Sequence, residues 1–177
     1  MRDGVRLHTV VLVPKGAKRA PILLTRTPYS ADALTGHAAS AHLGPVLQGY
    51  DNPADVIVEE GYIRVVQDVR GKYGSEGDYV MNRPLRGPLN PTGVDHATDT
   101  WDTIDWLVKN VPSNNGKVGM SGISYPGFYS ACGMIDSHPA LKCVSPQAPV
   151  CDWFIGDDFH HNGALFLSDA FGFLHGF

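Results

Sequence analysis

A serine placed between a strand and a helix is the residue here best suited to covalent chemistry. Ser124 lies in Gly122-Ile123-Ser124-Tyr125-Pro126-Gly127. The run before it, Lys117 to Gly122, reads as a short buried strand, and the run after it, about Tyr125 to Asp136, reads as a helix. In a nucleophile elbow the serine occupies a strained turn at the C-terminal end of a strand, which lifts its hydroxyl above the sheet. A small residue two positions earlier lets the backbone pass closely, and the N–H of the next residue, Tyr125, faces a developing oxyanion. The usual spacing is G-x-S-x-G; here Pro126 holds the place of the second glycine and Gly127 comes one later. Proline is acceptable there because the N–H groups of a helix's first turn have no intrahelical partner. The same letters also fit a tight strand–helix turn with no chemistry, so placement carries more weight than the motif.

Other residues could complete such a site. Tyr29 directly follows strand-like sequence in Arg26-Thr27-Pro28-Tyr29. Ligand-contacting groups of an α/β sheet gather at strand C-termini, so a phenol there could donate to an oxyanion; the alternative is a partly buried loop aromatic. Asp157 and Asp158 stand among aromatics, where desolvation would strengthen pairing with a substrate cation. They could equally be an acid-rich helix start. His160 and His161 are adjacent, would point to different faces of a helix, and make a poor metal pair. Gly71 to Gly77 is glycine-rich but matches no phosphate-binding loop, and reads as a structural turn.

The elements that must position these groups alternate along the chain. Val5 to Val13, Pro21 to Arg26 and Tyr62 to Val69 read as strands, with a long excursion or short helices over Ser30 to Pro53. A helix is expected from about Asp95 to Asn110, with Val94, Ala97, Trp101, Ile104 and Val108 as its apolar stripe. Thr92 to Asp95 resembles a capping box, and Asp95, Asp99, Asp102 and Asp105 are expected on a solvated face. Leu141 to Val144 completes the strands. Alternation without close hairpins is the pattern of an α/β fold with a parallel sheet. From about Cys151 the texture becomes aromatic and acidic, and the apolar tail to Phe177 reads as a cut end.

Composition narrows the function further. The 177 residues are 43% hydrophobic and 18% charged, which suits one globular domain. Fourteen Lys and Arg against 18 Asp and Glu give a formal charge of −4 with no basic block, so no nucleic-acid partner is expected. No apolar run approaches the roughly 18–20 residues of a membrane span. Cys132, Cys143 and Cys151 form no C-x-x-C pair and are expected to be small buried hydrophobes. No metal or cofactor is expected.

Four segments together resemble a known group: Arg26-Thr27-Pro28-Tyr29, Asp68-Val69-Arg70-Gly71, Gly122 to Gly127, and His138-Pro139-Ala140-Leu141. They are similar to the cocaine esterase and X-Pro dipeptidyl-peptidase superfamily of serine hydrolases. The stretch from Glu60 to Asn110, with Gly156-Asp157-Asp158, resembles the bacterial α-amino acid ester hydrolases in particular. The resemblance implies an α/β-hydrolase fold over about residues 1–152 and the start of a helical cap over 153–177. It implies Ser124 as nucleophile, the Tyr125 N–H and Tyr29 hydroxyl as oxyanion hole, and Asp158 in a carboxylate cluster for the substrate's α-ammonium. Pro126 departs from that subgroup, in which an acidic residue is frequent at this place. The order Ser, then acid, then His places the remaining triad members beyond Phe177, so an N-terminal portion of a longer enzyme, nearly inactive alone, is expected. A small ester or amide substrate, a homo-oligomer when intact, and a periplasmic or secreted location are further expectations. The alternatives are a general esterase without ammonium selectivity and a non-catalytic hydrolase-like shell.

Overall fold

The structure is a computed structural model and describes residues 1–36, 54–155 and 158–177. Strands β1 (Thr9–Leu12), β2 (Ala20–Thr27), β3 (Ile63–Asp68), β4 (Asn114–Ile123) and β5 (Leu141–Gln147) form one sheet in the order β1-β3-β2-β4-β5. The last four run parallel, and β1 lies antiparallel on β3. Every residue of β3 is buried, which suits a strand covered on both faces and explains its lack of alternation. The mostly parallel sheet agrees with the alternation of strands and helices along the sequence.

The first strand is shorter than Val5 to Val13. The Arg6 and His8 N–H groups donate to the Glu76 carboxylate and Ser75 hydroxyl instead of a neighbouring strand. This bonding ties the N-terminal segment to the 71–77 turn, where Gly71 takes φ +74° and a Cβ would collide with the Tyr79 backbone.

Helices α1 (Ala31–Thr35) and α2 (Ala54–Glu59) fall within or just after the expected excursion, most of which lies outside the described residues. Helix α3 (His96–Asn110) matches its expected span but not its expected cap or faces. The capping box runs from Asp95 to Thr98: the Asp95 carboxylate accepts the Thr98 N–H at 2.7 Å, and the Thr98 hydroxyl accepts the Asp95 N–H at 2.8 Å. Thr92 instead closes a local turn with Asn90.

The acidic face is not uniformly solvated. Asp95 and Asp99 are buried, and Asp99 meets Arg70 at 2.6 Å and Arg26 at 3.7 Å. Asp102 binds Arg2, and Asp105 pairs with Lys109 on the outside. Buried His96, Asp99, Thr100, Thr103, Ile104 and Leu107 form the inward stripe, while Trp101 and Val108 lie at its margin. A mixed polar stripe is not legible as a core face because Asp99 is internal through Arg26 of β2 and Arg70 just beyond β3.

Helix α4 (Tyr125–Gly133) packs its buried Tyr125 and Tyr129 into the main core beside Ile22, Leu24, Ile104 and Met120. Its Gly133 approaches Met120 and Thr100 too closely for a Cβ. Beyond β5 come a two-stranded ribbon, β6 (His160–His161) with β7 (Ala164–Leu165), and helix α5 (Leu167–Leu174). His160 and His161 thus sit on a strand rather than a helix. Of the cysteines only Cys132 is buried; Cys143, on the outer strand β5, and Cys151 are exposed, and all three are free thiols.

Candidate active site

The sheet register gathers the candidate groups at one edge. Thr27 at the end of β2 pairs with Asp68 at the end of β3, and Ile123 at the end of β4 pairs with Gln147 at the end of β5. Between β2 and β4, Leu24 pairs with Met120, and the Thr25 hydroxyl donates to the Ser121 carbonyl at 2.9 Å. The C-terminal ends of four parallel strands therefore face the same way, with Tyr29 rising from β2 and Ser124 from the adjacent β4. Ligand sites of α/β sheets form at this edge.

Ser124 has φ +61° and ψ −118°, a conformation that L-residues rarely adopt. Such a backbone costs about 1–3 kcal/mol and persists only where the surroundings over-determine it. They do so here. The Ser124 N–H donates to the Gln147 carbonyl at 3.0 Å, and the Ser124 carbonyl accepts the Phe128 N–H that opens α4. A Cβ on Gly122 would lie 2.4 Å from the Pro126 backbone, and one on Gly127 would lie 2.4 Å from the Gln147 carbonyl. Both glycines are thus required by close backbone approach, and Gly127 serves the β5 contact. Sequence reasoning missed Gln147, since a carbonyl acceptor leaves no mark on residue type. The Ser124 side chain makes no capping bond to α4 and is half-buried, not packed into the interior.

Tyr125 is the first residue of α4, so its N–H has no acceptor within the helix. Its phenol is buried, and burial pushes its pKa up, so the ring stays neutral. Pro126 sits in the first helical turn, where its missing N–H removes no helical bond. Tyr29 is 36% exposed, and its N–H donates to the Thr27 hydroxyl at 3.0 Å. Its ring lies 5.8 Å from that of Phe177, which stands 5.4 Å from Tyr125. An aromatic wall thus joins Tyr29 to helix α4.

Asp158 is an exposed turn residue, and Asp157 lies outside the described residues. The next residue, Phe159, stacks on Trp153 at 4.8 Å, and Trp153 stands 6.0 Å from Tyr125. The aromatic chain links Asp158's turn to α4. His138 precedes β5 and so lies at the opposite edge of the sheet from Ser124, where it meets Asp105 at 3.5 Å. His8 pairs with Asp32 at 3.0 Å but precedes β1, three strands from β4, or about 14 Å at ordinary strand spacing. His160 is bonded to the Trp153 carbonyl. Among the described residues, no group of three or more His, Cys, Asp or Glu could hold a metal ion. A cavity of about 340 Å³ between the N-terminal segment, β1 and α3 is lined by none of the candidate residues.

A model of the X-Pro dipeptidyl-peptidase (S15) family matches residues 3–175. The chain belongs to that family. It is 62% identical to a solved α-amino acid ester hydrolase, with a TM-score of 0.83, covering 93% of this chain and 26% of that one. It is 52% identical to an aminopeptidase from a marine sediment archaeon, Thaumarchaeota archaeon, with a TM-score of 0.84, covering 93% of this chain and 27% of the other. The cocaine esterase of Rhodococcus sp. (strain MB1 Bresler) is 30% identical over 172 residues, 97% of this chain and 26% of that protein. The chain therefore spans about a quarter of the length of these relatives. The resemblance read from the four segments is borne out, and the sheet with its helices is of the α/β-hydrolase type.

Proposed function

We propose that this chain supplies the nucleophile and oxyanion hole of a serine hydrolase that acts through an acyl-enzyme on α-amino acid esters or amides. The single observation that carries the reading is Ser124 held at φ +61° between β4 and α4, with its hydroxyl uncommitted to the helix cap. A base removes the Ser124 proton as the hydroxyl oxygen attacks the substrate carbonyl. The new oxyanion accepts hydrogen bonds from the Tyr125 N–H and the Tyr29 hydroxyl, aided by the positive end of α4. Collapse breaks the bond to the alcohol or amine, which leaves with the proton held by the base; water, or an amine such as a β-lactam nucleus, then attacks the acyl carbon as the base takes its proton, and Ser124 departs with that proton. The acid–base pair is proposed to come from outside residues 1–177, consistent with His138 and His8 lying away from Ser124.

Asp158 is proposed to contribute to a carboxylate cluster for the substrate's α-ammonium. Similarity to an α-amino acid ester hydrolase and an aminopeptidase supports this choice. In the full-length gene product, Asp158→Asn is expected to reduce kcat/KM for a phenylglycine ester at least 10-fold more than for its des-amino counterpart. Equal losses on both would favour the second reading, a general esterase, which similarity to a cocaine esterase supports.

A further inference from the structure

The loop that presents Tyr29 is anchored by a buried carboxylate, that of Asp68. Asp68 ends β3, is 1% exposed, and pairs in register with Thr27, two residues before Tyr29. Its Oδ1 accepts the Ala31 N–H at 2.6 Å, and its Oδ2 accepts the Gly74 N–H at 3.3 Å. Its main chain is held as well: the N–H donates to the His8 carbonyl at 3.0 Å, and the carbonyl accepts the Ser75 hydroxyl at 2.7 Å. Between Tyr29 and Ala31 stands Ser30, with φ +72° and ψ 108°, an unfavourable conformation for a residue with a Cβ. Tyr29 is thus clamped on both sides, by the Thr27 hydroxyl behind it and the buried Asp68 carboxylate ahead of it. A charged acceptor taken from water binds an N–H more strongly than a neutral one does.

We propose that Asp68 is the positioning residue of the oxyanion hole: by binding the Ala31 N–H it holds the strained Tyr29-Ser30 turn in the conformation from which the Tyr29 hydroxyl serves as oxyanion donor. This rests on the reading of Tyr29 as an oxyanion donor. Displacing such a donor by a fraction of an ångström weakens transition-state binding with little effect on ground-state binding.

The test is a double-mutant cycle in the full-length gene product, assayed on a phenylglycine ester. Asp68→Ala is expected to lower kcat at least 10-fold with KM changed less than 2-fold. On a Tyr29→Phe background the same change is expected to lower kcat less than 2-fold further, because the group it positions is gone. Asp68→Asn, which keeps an oxygen for Ala31, is expected to retain more activity than Asp68→Ala. If Asp68→Ala does not fold, Asp68→Asn replaces it in the cycle, with a kcat loss of about 3-fold expected on the Tyr29 background alone. Equal losses on both backgrounds, or no loss on either, overturn the proposal while leaving the oxyanion reading in place. A Tyr29→Phe enzyme with unchanged kcat removes that reading, and the proposal falls with it.

Discussion

Tyr29 and Asp99 show how differently two residues of this chain are expected to behave on truncation. Tyr29 is partly exposed and its ring packs against Phe177, so Tyr29→Phe keeps that ring contact and removes the hydroxyl proposed as an oxyanion donor. Loss of one oxyanion donor ordinarily lowers kcat by roughly 10²–10³-fold. The full-length gene product is expected to show that fall in kcat with the protein still folded, as read by steady-state kinetics beside a melting curve. Asp99 is the reverse case. Its carboxylate sits between Arg70 and Arg26, both buried; burial works against the charge of each, and Asp99 opposes that on both. Asp99→Ala leaves two guanidinium groups short of a counter-charge, and removing one partner of a buried pair costs roughly 3–5 kcal/mol. Urea denaturation is expected to show that loss. Arg70 retains Asp3 as a second partner, which limits the effect at that end.

At the scale of elements, the elbow and the α3–α4 packing carry the account. Gly127→Ala would press a methyl into the Gln147 carbonyl, a backbone atom held by the sheet, so the serine turn must shift. Overpacking of this kind costs roughly 1–3 kcal/mol, and activity is expected to fall further than stability. Kinetics and a denaturation curve on the same variant check both. His96 opens α3 with its ring edge-on to Phe128 and Tyr129 of α4. Burial first, then Arg26, Arg83 and Arg70, hold its pKa well below the ordinary value. The folded state therefore keeps it neutral while the unfolded chain protonates it near pH 6.5. Stability is expected to fall as pH drops below about 6.5, by up to about 1.4 kcal/mol per pH unit from this group. His96→Phe is expected to flatten that slope in denaturant melts between pH 5 and 7.

Much of this architecture was readable in the residues. The strand, Gly-x-Ser and helix order located the Ser124 turn, since close approach permits only glycine at position 122 and the turn leaves no helical role for the serine hydroxyl. The span of α3 followed from its period. Its buried acids did not, because Asp99 is internal only through arginines 29 and 73 residues earlier in the chain. Gln147 was invisible because its carbonyl, not its side chain, acts. Residues 153–177 include a two-stranded ribbon that the residues do not announce, since two-residue strands have no period to detect.

For the molecule as a whole, these features support the proposal that the parallel strands present the nucleophilic hydroxyl, that of Ser124, at their C-terminal edge. The most direct test treats the full-length gene product with a fluorophosphonate and maps the adduct by intact mass and peptide sequencing. One adduct per chain is expected, on Ser124, with labelling and turnover both lost in Ser124→Ala. An adduct on another residue, or a Ser124→Ala protein that still turns over its ester, would contradict it.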